Sequence, residues 1–476
     1  MDIETFLSAN KSIIIAPAGY GKTYTIAEAI SSYKGDKKVL VLTHTHAGIA
    51  SLREKFEQKG LVPSTYHLDT ICSFALDLTK TYHINKNDIP KESDANALFD
   101  YAVEHATIIL KANPIKYLLS IKFEHLIVDE YQDCSLAQHQ MVLELAQTLK
   151  THLLGDPLQG IFGFRGQQIV DFDDDSFRPF LQNCQSLETP WRWKNAGQDA
   201  LGQDLSRIRE KLLAGEDVNL QEYHSIKWVQ GAEDDYAKPQ TNVKTELFQE
   251  LQRGAIVIHP NSSSVESRKT VVKQYPMLQL IEPIDGKDYY SCCQQFDIHS
   301  GQSLIKDVSD MMRKVCNKTC INNWIKPDGT LKNKRKVEDQ AVMSELVSAI
   351  NPLMKEKTYL SIANLIVAIA RLPEIIIYRK EFIRDIYHTL VNAHKLGITA
   401  SESIVRNRNL LRRKGRKVMR KSIGTTLLTK GLEFDCVVVL NAQQFNDPKH
   451  LYVALTRCRE RLVVVSDIAV LHPYNL

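Results

Sequence analysis

The transition from residues 12 to 30 constrains the fold more than any other stretch of the chain. Ser12-Ile13-Ile14-Ile15 is a short apolar, β-branched run, the pattern of a buried strand. It runs straight into Ala16-Pro17-Ala18-Gly19-Tyr20-Gly21-Lys22-Thr23, after which residues 25–30 read as a helix. A strand, a loop of small residues and a helix, in that order, is the context a phosphate-binding loop requires. Small residues let backbone N–H groups approach phosphate oxygens, and the helix N-terminus adds partial positive charge. Lys22 is placed to reach β- and γ-phosphates, and Thr23 to hold Mg²⁺. Ala16 stands where the general pattern has its first glycine. Val39-Leu40-Val41-Leu42 supplies a second buried strand, as a parallel sheet demands. A third, Leu126-Ile127-Val128, ends in Asp129-Glu130-Tyr131-Gln132-Asp133. Two adjacent carboxylates at the C-terminal edge of a strand suit metal and base roles. Asp129 is expected to bind Mg²⁺ through water, and Glu130 to orient and deprotonate the attacking water.

Composition sets the outer limits. A chain of 476 residues makes about three folding units. Hydrophobic content of 43% and charged content of 24% exclude global disorder and a collagen-like repeat. Sixty basic against 56 acidic side chains leave a net charge of +4, so any nucleic-acid contact must come from local clusters. Residues 1–10 carry Asp2 and Glu4 and no apolar core, unlike a signal peptide, and the greasy stretch 360–370 is too short to span a bilayer. Nine scattered cysteines fit reduced thiols. A cytoplasmic protein without a membrane partner is expected. Cys316 and Cys320 have ligand-like spacing but no second pair, and His44 and His46 lack a third partner, so neither reads as a metal site.

The carboxylate segment, with Gln138 following, resembles the DExQD box of UvrD/Rep/PcrA-type superfamily 1 helicases. The resemblance continues in order. Gly155-Asp156-Pro157-Leu158-Gln159-Gly160-Ile161-Phe162-Gly163-Phe164-Arg165-Gly166 is similar to their GDxxQxIYxFRG motif, and Trp191-Arg192 stands where they have Tyr-Arg. Thr425 through Lys430-Gly431-Leu432-Glu433-Phe434 matches TxHxxKGLEF, and Tyr452-Val453-Ala454-Leu455-Thr456-Arg457-Cys458-Arg459 matches YVAxTRAR. The resemblance implies two RecA-like doubly wound parallel-sheet α/β lobes, a P-loop NTPase with reduced helical accessory insertions. It implies ATP as substrate with Mg²⁺, and Gln159, Arg192 and Arg457 around the γ-phosphate, where arginine forks bond oxygens bidentately. Glu433 would accept from the ribose and Trp191 would stack on the base. In order along the chain, the first lobe is expected from 1–80 and 119–186, with a short helical insertion at 81–118. The second is expected from 187–284 and 420–476, around a mainly helical accessory insertion at 285–419.

The same resemblance implies contacts to single-stranded or partly duplex DNA. Thr43-His44-Thr45-His46-Ala47 occupies the place of the family's TFTNKAA segment, and Thr70-Ile71-Cys72-Ser73-Phe74-Ala75 that of TxHSFA. Thr43, His44, His46, Thr70 and Ser73 would bond backbone phosphates, which positions DNA without reading sequence. Phe164 would stack on a base. Between 406 and 421 lie nine arginines and lysines with no acidic residue, among them Arg412, Arg413 and Arg416. This run reads either as a solvated face or as a phosphate contact. Three departures stand out. No glutamine precedes Gln58, so the family's adenine-reading glutamine has no counterpart, and Leu427 and Cys72 replace two coupling histidines. The leading expectation is a DNA-stimulated ATPase moving 3′→5′ on single strands. The alternative is a DNA-end-sensing ATPase subunit that regulates a partner nuclease of OLD/Gabija-like type in bacterial anti-phage defence, since the LTHTHAGIASLR segment resembles UvrD-like proteins of Gabija systems. The second-lobe arginines speak against a non-motor phosphate-loop NTPase.

Overall fold

The computed structural model describes residues 2–90, 95–163, 168–260, 264–284, 286–414 and 418–474. Its first sheet is built from β1 (Lys11–Ile15), β2 (Lys38–Thr43), β3 (Tyr66–Thr70), β4 (Phe123–Val128), β5 (Lys150–Gly155) and β6 (Cys184–Ser186). The strand order is β3-β2-β4-β5-β1-β6. Every pairing in it is parallel. Side chains alternate between the two faces as the pleat requires. Ile13, Leu40, Leu42, Leu126, Val128 and Leu153 enter one apolar core, and Ile14, Val39, Val41, Ile127 and Leu154 the other. Burial on both faces explains why these strands read as unbroken apolar runs. β3 escapes that reading: it sits at the sheet edge, and Tyr66-His67-Leu68-Asp69 is only partly buried. Leu126–Val128 therefore belongs to the fourth strand of the chain, not the third.

The remaining strands are β7 (Val218–Asn219), β8 (Lys227–Gln230), β9 (Ile256–Ile258), β10 (Gln279–Leu280), β11 (Ser422–Gly424), β12 (Phe434–Val439), β13 (Cys458–Ser466) and β14 (Val470–Leu471). Six of them form the second sheet, so the fold has two mostly parallel six-stranded sheets with surrounding helices, a two-lobe α/β P-loop NTPase architecture. β7 and β14 make a separate antiparallel pair.

By internal packing the chain divides into one unit of 1–230 with 429–476 and another of 231–428. This grouping differs from the lobes expected at 187 and 420. A buried polar contact joins 187–230 to the first segment: Arg209 pairs with Asp156 at 2.9 Å. Within the same unit, the Trp193 indole N–H donates to the Cys458 carbonyl at 3.0 Å. In this unit β12, β13 and β8 pair side by side. The second unit contains β9, β11 and β10 and a run of helices, including Lys287–Ile298, Gly301–Val315, Val337–Lys355, Tyr359–Ala370 and Lys380–Leu396. They close over a core of Leu304, Ile305, Val308, Ile362, Ile366 and Ile386. Among the described residues, no helix is long and apolar enough to cross a membrane.

Candidate functional site

The loop after β1 leaves the sheet at its carboxyl edge, where open α/β sheets bind ligands. The Ala16 N–H bonds the Gly155 carbonyl at 2.9 Å, fastening the start of the loop to the end of β5. Gly19 and Gly21 have φ of 77° and 89°, values that favour glycine. A Cβ on Gly19 would lie 2.8 Å from the Arg192 Cβ, so any side chain there would strain the loop and displace Arg192. Gly21 caps the helix Lys22–Ser32, and a Cβ on it would meet Trp191 Cδ1 at 3.3 Å. The Arg192 N–H donates to the Gly19 carbonyl at 2.9 Å. Trp191 and Arg192, far along the chain, therefore stand directly against the phosphate loop. Trp191 is 47% exposed, with Lys194 over its ring.

Lys22 Nζ lies 2.9 Å from Glu130 Oε1. Burial alone would lower the Lys22 pKa, but the Glu130 and Asp129 charges more than offset it and raise it. For Glu130 burial pushes upward, and Lys22 and Lys430 together hold it down at about 2. Glu130 has φ 54°, a left-handed conformation that a β-carbon makes costly. Asp129 is buried, and burial followed by the Glu130 charge raises its carboxyl to about 7. Its Oδ1 has no hydrogen-bond partner, a shortfall that a hydrated cation would relieve. An orphaned buried carboxylate oxygen on Asp129, whose charge reaches Lys22, has the chemistry of a ligand to a divalent cation.

Gln132 joins the carboxylates to the loop after β5. Its amide donates to Glu130 Oε2 at 2.5 Å, and its carbonyl accepts the Asp156 N–H at 3.1 Å. Asp156 in turn accepts Gln159 Nε2 at 3.0 Å. Arg192 NH2 contacts Glu433 Oε1 at 2.7 Å, while its NH1 donates to the Thr456 carbonyl. Arg457 is buried; its guanidinium donates to the Val453 carbonyl at 2.9 Å and to Thr456 Oγ1 at 3.0 Å. Burial, reinforced by the neighbouring Arg192 charge, lowers its pKa to about 10.

Sequence reasoning missed several members of this cluster. The Tyr452 hydroxyl accepts the Ala18 N–H at 3.2 Å, and Arg209 pairs with Asp156. Lys430 Nζ donates to Asp133 Oδ2 at 2.6 Å and to the Gln159 carbonyl, and sits 4.4 Å from the Phe162 ring centroid. Lys430, Asp133 and Tyr452 lie inside the quoted motifs, which was the available signal; for Arg209 there was none.

The strand-contacting set is placed less uniformly. Thr43 has no exposed surface and Thr70 is 4% exposed. Thr70 Oγ1 caps the helix Ile71–Tyr82 by accepting the Ser73 N–H at 3.0 Å and donates to the Ser73 hydroxyl at 2.8 Å. Thr70 is thus engaged as a helix cap, whereas the Thr43 hydroxyl is buried without a hydrogen-bond partner. His44 lies nearly parallel to the Phe162 ring, 5.9 Å between centroids, and burial and the Lys430 charge lower its pKa to about 4. His46 opens the helix His46–Gln58 and is partly exposed. Cys72, in place of a histidine, accepts from Gln138 Nε2 at 3.2 Å. Arg412 and Arg413 fall in the helix Ala400–Lys414, whereas Phe164 and Arg416 lie outside the described residues.

Residues 2–165 match the family described as an AAA domain. Over 86 residues the chain is 31% identical to the RecBCD enzyme subunit RecB of Buchnera aphidicola subsp. Schizaphis graminum (strain Sg), covering 18% of this chain and 7% of that protein. Over 95 residues it is 35% identical to the exonuclease/helicase subunit RexA of Lactococcus lactis subsp. cremoris (strain MG1363), covering 19% of this chain and 7% of that one. The chain thus spans under a tenth of the length of either curated relative. The similarities thus place an AAA domain at residues 2–165 and a local likeness to the RecB and RexA subunits. An AAA domain implies nucleotide binding, typically with Mg²⁺.

Proposed function

We propose that this chain is an ATP-dependent DNA translocase of UvrD type, in which DNA-stimulated ATP hydrolysis drives 3′→5′ movement on single strands. The observation that carries the reading is the 2.9 Å contact of Lys22 with Glu130 beside a phosphate loop clasped by Arg192. In the proposed cycle the triphosphate takes Lys22 from Glu130, and the freed carboxylate orients and deprotonates the attacking water. Gln159, Arg192 and Arg457 stabilise the charge that develops on the γ-phosphoryl oxygens. Arg192 must first leave Glu433, which then accepts from the ribose, while Trp191 stacks on the base. Mg²⁺ at Thr23 and Asp129 would neutralise charge on the β- and γ-phosphate oxygens. Single-stranded DNA would pass by His44, His46 and Ser73, and the basic segment containing Arg412, Arg413 and Arg416 would add phosphate contacts.

ATP hydrolysis measured with and without single-stranded DNA tests the chemistry, and displacement of streptavidin from biotinylated oligonucleotides tests the direction. DNA-stimulated turnover with displacement from the 5′ end alone is expected. No stimulation, or displacement from the 3′ end, overturns the reading.

The names of the two relatives favour a second reading, because both are subunits and one is an exonuclease/helicase subunit. On that reading the ATPase senses DNA ends and regulates a partner nuclease in anti-phage defence. An isolated chain that hydrolyses ATP on DNA ends but displaces no strand would support it over the first.

A further inference from the structure

The helix Asp199–Leu213 belongs to none of the motifs, yet one face of it touches both walls of the nucleotide pocket. Ser206 Oγ hydrogen-bonds the Tyr20 hydroxyl of the phosphate loop. One turn later, Arg209 NH2 reaches Asp156 Oδ1 at 2.9 Å; the arginine side chain is 13% exposed and the aspartate has no exposed surface. The other oxygen of Asp156 accepts Gln159 Nε2 at 3.0 Å. A carboxylate only accepts, so it fixes which end of the Gln159 amide faces it: the nitrogen turns towards Asp156 and the carbonyl oxygen away. The Asp156 N–H meanwhile donates to Gln132, whose amide holds Glu130. A continuous chain of hydrogen bonds thus runs from Arg209 to both Gln159 and the base.

We propose that Arg209 is a positioning residue for ATP hydrolysis, setting the orientation of Gln159 through Asp156. The assignment rests on the proposed function, since Gln159 matters only if this pocket hydrolyses a nucleotide. Without Arg209 the buried Asp156 loses its paired cation, and its carboxylate would shift and release the Gln159 amide. Arg209 pairs with Asp156 and not with Lys22 or Glu130, so its removal leaves the Lys22–Glu130 contact in place. The loss should fall on turnover rather than on binding.

The test compares the full-length wild type with Arg209→Ala, Arg209→Lys, Gln159→Ala and Arg209→Ala/Gln159→Ala. ATP turnover at saturating single-stranded DNA is measured alongside affinity for a fluorescent methylanthraniloyl-ADP. Arg209→Ala should lower kcat by about ten- to hundredfold, the scale of a small misplacement of a catalytic group, with affinity within about twofold. Arg209→Lys should restore most of the rate, and the double variant should be no slower than Gln159→Ala, because the two residues act on one step. A kcat within about twofold of wild type, a loss confined to affinity, or losses that multiply in the double variant would overturn the assignment. If Arg209→Ala does not fold, Arg209→Gln replaces it under the same outcomes. A wild-type rate unaffected by Lys22→Ala overturns the proposed function and this assignment with it, whereas the variant results above overturn the assignment alone.

Discussion

Replacing Glu130 by glutamine separates two effects that the Lys22–Glu130 contact combines. The substitution keeps the volume and an oxygen that can accept from Gln132 Nε2, so the loop after β4 should hold its shape. It removes the charge required of a general base, whose contribution is about a hundred- to ten-thousandfold in rate. It also removes the partner that competes with ATP for Lys22. That contact is 2.9 Å long between side chains 10% and 31% exposed. Partial solvent screening limits its net worth to about 1–2 kcal/mol. Released from that competition, ATP should bind about five- to thirtyfold more tightly to Glu130→Gln than to wild type. Phosphate release at saturating single-stranded DNA reads the first effect, and equilibrium titration with a fluorescent ATP analogue reads the second. Turnover above about a tenth of wild type would refute the base assignment. ATP binding weaker than wild type would refute the competition for Lys22.

The elements that frame the candidate site were legible wherever they are written in contiguous residues. β1, β2 and β4 show as apolar runs because both sheet faces are covered, and the loop from Ala16 to Thr23 shows because its backbone demands small residues. β3 was not legible, since an edge strand with mixed burial carries no such run. Arg209 illustrates a deeper limit. Its partner Asp156 is 53 residues away, and nothing in an amphipathic helix marks which arginine will turn inward. Thr70 shows the opposite limit: its position suggested DNA contact, but a hydroxyl beside a helix start is equally suited to capping, the role it holds for Ile71–Tyr82. The packing of 187–230 against the first segment was likewise invisible, because it depends on contacts such as Arg209 to Asp156 that close over long stretches of chain.

Lys430 and Asp133 are 5% and 2% exposed, so Lys430→Met should cost about 3–5 kcal/mol in urea unfolding, and Lys430→Met/Asp133→Leu should recover most of it; a silent single variant would refute a buried pair. His152, hydrogen-bonded to Ser12 and His125 and without exposed surface, has its pKa lowered by burial to about 3. Its folded pKa lies below the unfolded value of about 6.5, so the unfolded chain protonates first, and stability should fall by about 1.4 kcal/mol per pH unit from about 6.5 towards about 3. His152→Gln should flatten that slope in unfolding titrations, and an unchanged slope would refute it. If, with no glutamine before Gln58 to read adenine, stacking on Trp191 supplies most base affinity, GTP and dATP should turn over at rates near that of ATP; an ATP preference above about a hundredfold would refute this. The final expectation concerns the segment from 406 to 421. If it grips the DNA backbone, each lost phosphate contact should lower the salt slope of single-strand binding by about 0.7. Neutralising Arg412, Arg413, Lys414 and Arg416 together should then lower it by about 2.8. The weakening should be equal across base sequences, because phosphate contacts carry no base information. A solvated face would instead leave both the affinity and its salt slope where they were, and that result would remove the segment from the DNA path.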